Sequence, residues 1–485
     1  MTDQHRADVC AREGYPLDTT PFLDAMAKSG CWFENAYTTM PICAPARISM
    51  LTGRYPSAHR VCVNHATDNA YYKEDIFDVA KRLGYKTALI GKNHSHLCAQ
   101  RTDYWNEFSH DGKVANEKDT ENAKFDRWLL ELNHGVGREP TPFPLECQLP
   151  CRIVDDSKRW IEDVGDDPFF LWMSFPEPHN PYQVPEPYFS MFKEAALPKI
   201  QNGKEILESK GFKWQWTRRI GEYAYTDYES LIPRARANYF GMLRLIDDQI
   251  KGFSEFLESK NVKDDTLIVF LSDHGDFVGE YGLMRKGPEA PDMLTRIPMI
   301  FNGPGIVPDE ISRKEFISIA DVFPTLCKYM GEAIPYGVQG RSLMPVLTGE
   351  SYPDGEFSSI MVEQGYGAMH YGPKDGPKET HCLIPGIVKD SFDCLNSYSQ
   401  SGSIRVLRKD KWSFSYDMMG NGQLYDLSCD KYETNNLFYK KDYQDTVCKL
   451  LRELFAWTLK NHDTLTVPEG GRYEIKRDKR NYWYR

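Results

Sequence analysis

The sequence lacks an apolar run of the roughly 18 residues that a membrane-spanning helix requires, which argues against a membrane protein of that kind. It opens on Met1 to Arg6, MTDQHR, with no charged-then-apolar leader. None of its 12 cysteines forms a Cys-x-x-Cys pair, and no His or Cys cluster accompanies Cys147 and Cys151. That argues against a small disulfide scaffold and a zinc ribbon, and most of the cysteines read as free thiols of a reducing compartment. The cytoplasm is the location expected of the sequence as given; a start further upstream would bring in the periplasm or secretion. A basic excess is missing too. The formal net charge of −11 argues against a general nucleic-acid binder.

What the chain does have is length and alternation. Its 485 residues suit a large domain plus a smaller one, and its apolar and aromatic content suits a globular enzyme. Helices are expected over Asp18 to Ser29, with Pro21 in the first turn, and over Asp75 to Leu83, stopped by Gly84. Ser157 to Val164, Arg234 to Lys260 and Ile319 to Met330 read as further helices. Strands are expected at Thr87 to Ile90, Thr266 to Leu271 and Ile297 to Asn302, and at Pro168 to Phe175, which reads as buried on both faces. Ala99 to Leu149 reads as an irregular, charged surface insertion.

This alternation predicts an α/β fold: a mixed, mostly parallel central sheet flanked by helices. From Glu350 to Gly402 the pattern loosens into Gly, Pro and Ser. Beyond it, Ser403 to Trp412 and Gln423 to Leu427 read as short strands and Asp442 to Lys460 as a helix. We therefore expect a catalytic domain over 1–400 and a smaller α+β subdomain over 401–485.

Polar groups cluster where the expected strands stop, which is where open α/β sheets assemble their sites. Thr87 to Ile90 runs into Gly91-Lys92-Asn93-His94, Pro168 to Phe175 into Glu177-Pro178-His179-Asn180-Pro181, and Thr266 to Leu271 into Ser272-Asp273-His274-Gly275-Asp276. The stretch from Met40 to Tyr55 is the most specific. In it Cys43-Ala44-Pro45-Ala46-Arg47 is followed by Leu51-Thr52-Gly53-Arg54. Taken alone, Cys43 reads as a structural thiol at a proline-marked helix start.

Together these motifs (TDQ, CAPAR with LTGR, GKNH, PHNP, SDHGD with a following lysine, FNGPGI and LYDL) stand in the family order of type I, formylglycine-dependent sulfatases. The chain resembles that family from Asp3 to Leu437, and the resemblance implies the alkaline-phosphatase-like fold. It also implies that Cys43 is the precursor of formylglycine, made by a formylglycine-generating enzyme. The hydrated aldehyde carries two hydroxyls, one to attack sulfur and one to expel sulfate. Arg47 would hold this group. Asp3, Gln4, Cys43, Asp273 and His274 would surround a divalent metal.

Oxygen ligands favour calcium, whereas His274 suits manganese. Lys92 and His94 would contact the sulfate, with His94 the base for its release. His179 would protonate the leaving group and Lys286 would stabilise the oxyanion. Asn64 is a weaker candidate for a further sulfate or phosphoryl contact. The family often has two aspartates where Asp3-Gln4 stands, and a histidine where Tyr281 stands; Tyr281 is given no catalytic role.

The expected activity is hydrolysis of a sulfate ester, on a carbohydrate or another sulfated small molecule. Phosphonate monoester or phosphodiester hydrolysis is the alternative, compatible with Gln4, Asn64 and the Asp273-His274 pair. The intact Lys92 and His94 count against it. A non-catalytic sugar-sulfate binder ranks third. No nucleic-acid or membrane partner is expected, and the oligomeric state is left open.

Overall fold

A computed structural model describes residues 1–113, 120–308, 312–367, 369–384, 391–392 and 394–462, so the end of the expected C-terminal subdomain, 463–485, lies outside the described residues. Side chains alternate across a strand, and two apolar layers follow from that here. Leu89, Leu271, Met299 and Phe301 face one layer with Met50, Leu51 and Phe323. Ala88, Ile90, Phe270 and Ile300 face the other with Ile153, Trp160 and Ile246. Helices such as Leu149–Val164 and Tyr228–Ser259 bury their apolar stripes against this sheet.

The sheet consists of two halves. In one, β1 (Lys86–Gly91) lies between β2 (Tyr104–Glu107) and β3 (Phe169–Ser174), all parallel. In the other, β4 (Ile268–Leu271) pairs antiparallel with β5 (Met299–Asn302), whose far side takes Cys31–Trp32. The first three residues join the halves. Phe175 N donates to Met1 O at 2.8 Å, Thr2 N to Leu271 O at 3.0 Å, and Asp3 N to Glu177 O at 3.1 Å. Asp3 is thereby fixed between the ends of β3 and β4.

Two expectations change. β3 is not buried on both faces: Phe169 to Leu171 and Met173 are half-buried, because a groove of about 590 Å³ runs between β3 and β4 beyond Met1. The stretch from Ala99 to Leu149 is not irregular throughout. It supplies β2 and the helix Glu121–Leu132, which is capped by Thr120 and buries Phe125 and Leu129.

The C-terminal region is a four-stranded antiparallel sheet in the order Gly422–Asp426, Trp412–Asp417, Ile404–Lys409, Ser359–Gln364. The last of these falls inside the stretch expected to be loose, and all six of its residues are buried. The helix Gln444–Asn461 covers the sheet with Val447, Leu450, Leu454 and Trp457. Glu363 ties this sheet to the segments on either side of the helix Cys43–Thr52, its amide donating to Thr39 O at 2.8 Å and its carboxylate accepting from Ser57. No helix among the described residues is long and apolar enough to cross a membrane.

Candidate active site

The helix α1 (Cys43–Thr52) is buried at every position, so its polar side chains must find partners inside the protein. Pro45 sits in its first turn, where a missing N–H leaves nothing unpaired. Ala44 N is satisfied by Asn64 Oδ1 at 3.1 Å, a cap supplied from a distant loop. Gly53 ends the helix at φ +64°, donating to Ser49 O; a Cβ there would meet Val338 Cγ1 at 2.7 Å. The LTGR motif is therefore a helix stop, and it leaves Cys43 at the helix's positive end.

Cys43 Sγ lies 3.3 Å from His274 Nε2 and 3.7 Å from Asp3 Oδ1. Burial and the Asp3 charge push its thiol up, but Lys286, Lys92 and His274 outweigh them and hold it well below its ordinary value. Arg47, one turn on, is fully buried. Its Nε donates to Asp273 Oδ2 at 3.0 Å and its Nη2 to Asp3 Oδ2 at 3.1 Å. Its Nη1 donates to Lys92 O at 2.9 Å and Ser174 Oγ at 2.8 Å. Lys92 Nζ makes an ion pair with Asp3 Oδ2. Burial would raise the Asp3 carboxyl, yet Lys92, His179, Arg47 and Lys286 hold it well below the usual range.

Asp3, Cys43, Asp273 and His274 each offer a ligand atom within 4.8 Å of the others, all buried. The donor chemistry fits a cation. His274 Nδ1 donates to Gly275 O at 2.9 Å, which leaves the Nε2 lone pair facing Asp3 Oδ1 at 3.9 Å and Asp273 Oδ1 at 3.8 Å. A lone pair beside two buried carboxylates is repulsive unless a proton or a metal lies between them. Burial first, and then Asp3, push the Asp273 carboxyl up.

Gln4 stands at the rim of this group. Its Nε2 donates to Asp276 Oδ2 and its Oε1 accepts from Lys286 Nζ, both at 2.7 Å, leaving one oxygen lone pair for a ligand. Asp276 also accepts from Tyr182 Oη at 2.7 Å and from Arg285 N and Val278 N. It thus orients both Gln4 and the loop that carries Lys286, an assignment the SDHGD motif alone does not disclose. Burial opposes a charge on Lys286, but Cys43 and Asp3 raise its affinity for the proton.

His94 reaches Asn64 O at 3.3 Å through Nε2, and its Nδ1 is buried with no hydrogen-bond partner among the described residues. His179 Nδ1 donates to Asn180 O at 2.6 Å, leaving Nε2 for other work. All the residues singled out in the sequence therefore converge, directly or through one neighbour. Sequence reasoning missed His110 and His134, which come from the stretch read as irregular. His110 stacks on His179 with centroids 3.7 Å apart, and His134 packs edge-on against both.

An aromatic loop borders this site: Gln400 Nε2 donates to Gly287 O at 3.1 Å, next to Lys286. There Tyr398 packs against Trp216 and Tyr371.

The architecture is that of a hydrolase with the alkaline-phosphatase-like fold, built around a buried thiol, two acids and two lysines. Residues 1–332 match the family described as Sulfatase, and the chain belongs to that family. It is a sulfatase, a hydrolase of sulfate esters. An arylsulfatase from Clostridium perfringens is 28% identical over 478 residues, covering 92% of this chain and 91% of the relative. An N-acetylglucosamine-6-O-sulfatase from Bacteroides thetaiotaomicron is 24% identical, covering 93% and 85%. The crystal structure of a phosphonate monoester hydrolase from Agrobacterium radiobacter superposes with a TM-score of 0.77 at 24% identity, over 96% of this chain and 95% of the other. At that identity the likeness speaks for the fold alone.

Proposed function

We propose that this sulfatase removes sulfate from a carbohydrate, with residue 43 acting as formylglycine. The placement of Cys43 carries the proposal: it stands at the start of a buried helix, against His274 and Asp3, with Lys92 and Lys286 near enough to depress its thiol. Such a pocket suits a tetrahedral anion. When hydrated, formylglycine supplies two hydroxyls on one carbon: one displaces the alcohol from sulfur, and the other, on losing its proton, expels sulfate and restores the aldehyde. A divalent cation held by Asp3, Gln4, residue 43, Asp273 and His274 would lower the charge barrier. Calcium is the first choice, and manganese the alternative that His274 favours.

The chain's own groups have separable tasks. Lys92 and Lys286 bind sulfate oxygens and complement the charge that develops on them. His179, its Nδ1 proton committed to Asn180 O, takes a second proton from solvent at Nε2 and delivers it to the departing alcohol oxygen. His94, beside residue 43, takes the hydroxyl proton at sulfate release. Arg47 holds both acids and the nucleophile's helix in register. Asn64 fixes the first turn and is the weaker candidate for a sulfate contact. A sugar is supported by the aromatic loops beside Lys286 and by the sulfatase relative named for N-acetylglucosamine.

Phosphonate ester hydrolysis is the second reading, favoured by an amide, Gln4, where a second aspartate could stand. The first test uses protein made with a formylglycine-generating enzyme and a Cys43 peptide mass that reports conversion. Cys43→Ala is expected to abolish aryl sulfate turnover and to leave the thermal midpoint within a few degrees. Turnover retained in that variant would contradict the mechanism.

A further inference from the structure

His110 belongs to none of the sequence motifs, yet it lies at the centre of the site. It follows β2, and its ring is parallel to that of His179, 3.7 Å away at 18°. Its Nε2 is 2.8 Å from Lys92 Nζ, whose ammonium also pairs with Asp3. An ammonium has three donors and no acceptor, so Nε2 must accept. The ring is then neutral, with its proton on Nδ1. Burial and the Lys92 charge, which hold the imidazole well below its ordinary value, agree with that state.

Three consequences follow from this geometry. With one Lys92 proton directed to Asp3 and one to His110, the third is left for a further acceptor. The neutral His110 ring stacks under His179 and fixes its plane. And His110 Nδ1 is buried with no hydrogen-bond partner among the described residues. Burying an unpartnered polar group is unfavourable, so simple packing would be better served here by Leu or Phe. We propose that His110 is a positioning residue for sulfate transfer, setting the plane of His179 for leaving-group protonation and aiming the Lys92 ammonium at the transferring group. The proposal rests on the reading of His179 as the leaving-group acid.

Two variants separate the two tasks. His110→Gln keeps an acceptor for Lys92 but removes the stacked ring; His110→Phe keeps a ring but removes the acceptor. Each is compared with wild type and with His179→Asn on 4-nitrophenyl sulfate, whose alcohol leaves readily unprotonated, and on phenyl sulfate, whose alcohol needs a proton. The ratio of the two rates within one preparation is insensitive to the fraction folded.

Loss of a general acid is on the order of 10²-fold or more, and His179→Asn should show it mainly on phenyl sulfate. His110→Gln should lose roughly tenfold in kcat on phenyl sulfate and little on the nitrophenyl ester, a lesser version of the same signature. His110→Phe should weaken both substrates alike. Equal losses on both substrates for His110→Gln, beside a selective loss for His179→Asn, would overturn the role of His110. Equal losses for His179→Asn itself would overturn the acid reading, and this proposal with it.

Discussion

Arg47 bridges residues that are far apart in sequence: Asp3 from the first residues, Asp273 from the end of β4, and the Lys92 carbonyl from the end of β1. Without it, two carboxylates stay buried with no guanidinium between them. Removing one partner of a buried pair destabilises by about 3–5 kcal/mol. Arg47→Ala should therefore lower the urea midpoint markedly, and Arg47→Lys should recover only part of the loss, because an ammonium cannot span both acids. Unchanged midpoints would show that the acids do not depend on Arg47.

At this scale the site was largely legible in the sequence, since each motif delivers its side chain from a strand end or a helix start. Asp276, His110 and Ser174 were not. Their roles are contacts between distant segments, and a run of residues carries no mark of what it will face. The Arg47 role also gained content: the residue expected to hold the nucleophile is bonded chiefly to the two acids.

The helix α1 depends on a neighbour that titrates. His59 Nδ1 accepts from Val61 N at 3.2 Å, so its Nε2–H is left to Pro45 O at 3.2 Å and Ser49 Oγ at 3.1 Å. Burial first, then Arg54 and His96, push this imidazole down to about 3. Its folded value lies below the unfolded 6.5, so between these the unfolded chain binds the proton and the folded chain does not. Stability from a neutral His59 is complete above pH 6.5 and is lost as the pH falls toward 3. Relative to His59→Gln, the wild type should lose about 1.4 kcal/mol per pH unit between roughly pH 6 and 4.5, read from urea midpoints. A pH-independent difference would contradict the neutral, buried imidazole.

Elements with a clear period or a flanking glycine were legible: β1, the capped helix Ile76–Arg82 and the long helix Tyr228–Ser259. Ser359–Gln364 was hidden by the Gly- and Pro-rich residues around it, and Tyr104–Glu107 by its brevity and polar character. Both are strands because a partner strand pairs with them, which tertiary context decides and local propensity does not.

Across the whole molecule, Cys43 from α1, Asp3 from the first residues, Asp273 from the end of β4 and lysines from two loops meet only when both half-sheets and the Met1–Asp3 link are assembled. The alternation of strands and helices made this α/β plan legible. The antiparallel pairing of β4 with β5 was not, because buried strands of either sense share the same apolar run. Sulfate and phosphonate esters are both tetrahedral, and the roles proposed for Lys92 and His94 favour sulfur. We would measure kcat/KM for an aryl sulfate and for an aryl phosphonate monoester on one preparation whose Cys43 conversion is known by peptide mass. The account predicts a clear preference for the sulfate. A preference for the phosphonate would contradict it and place the chain's chemistry with the phosphonate hydrolases whose fold it shares.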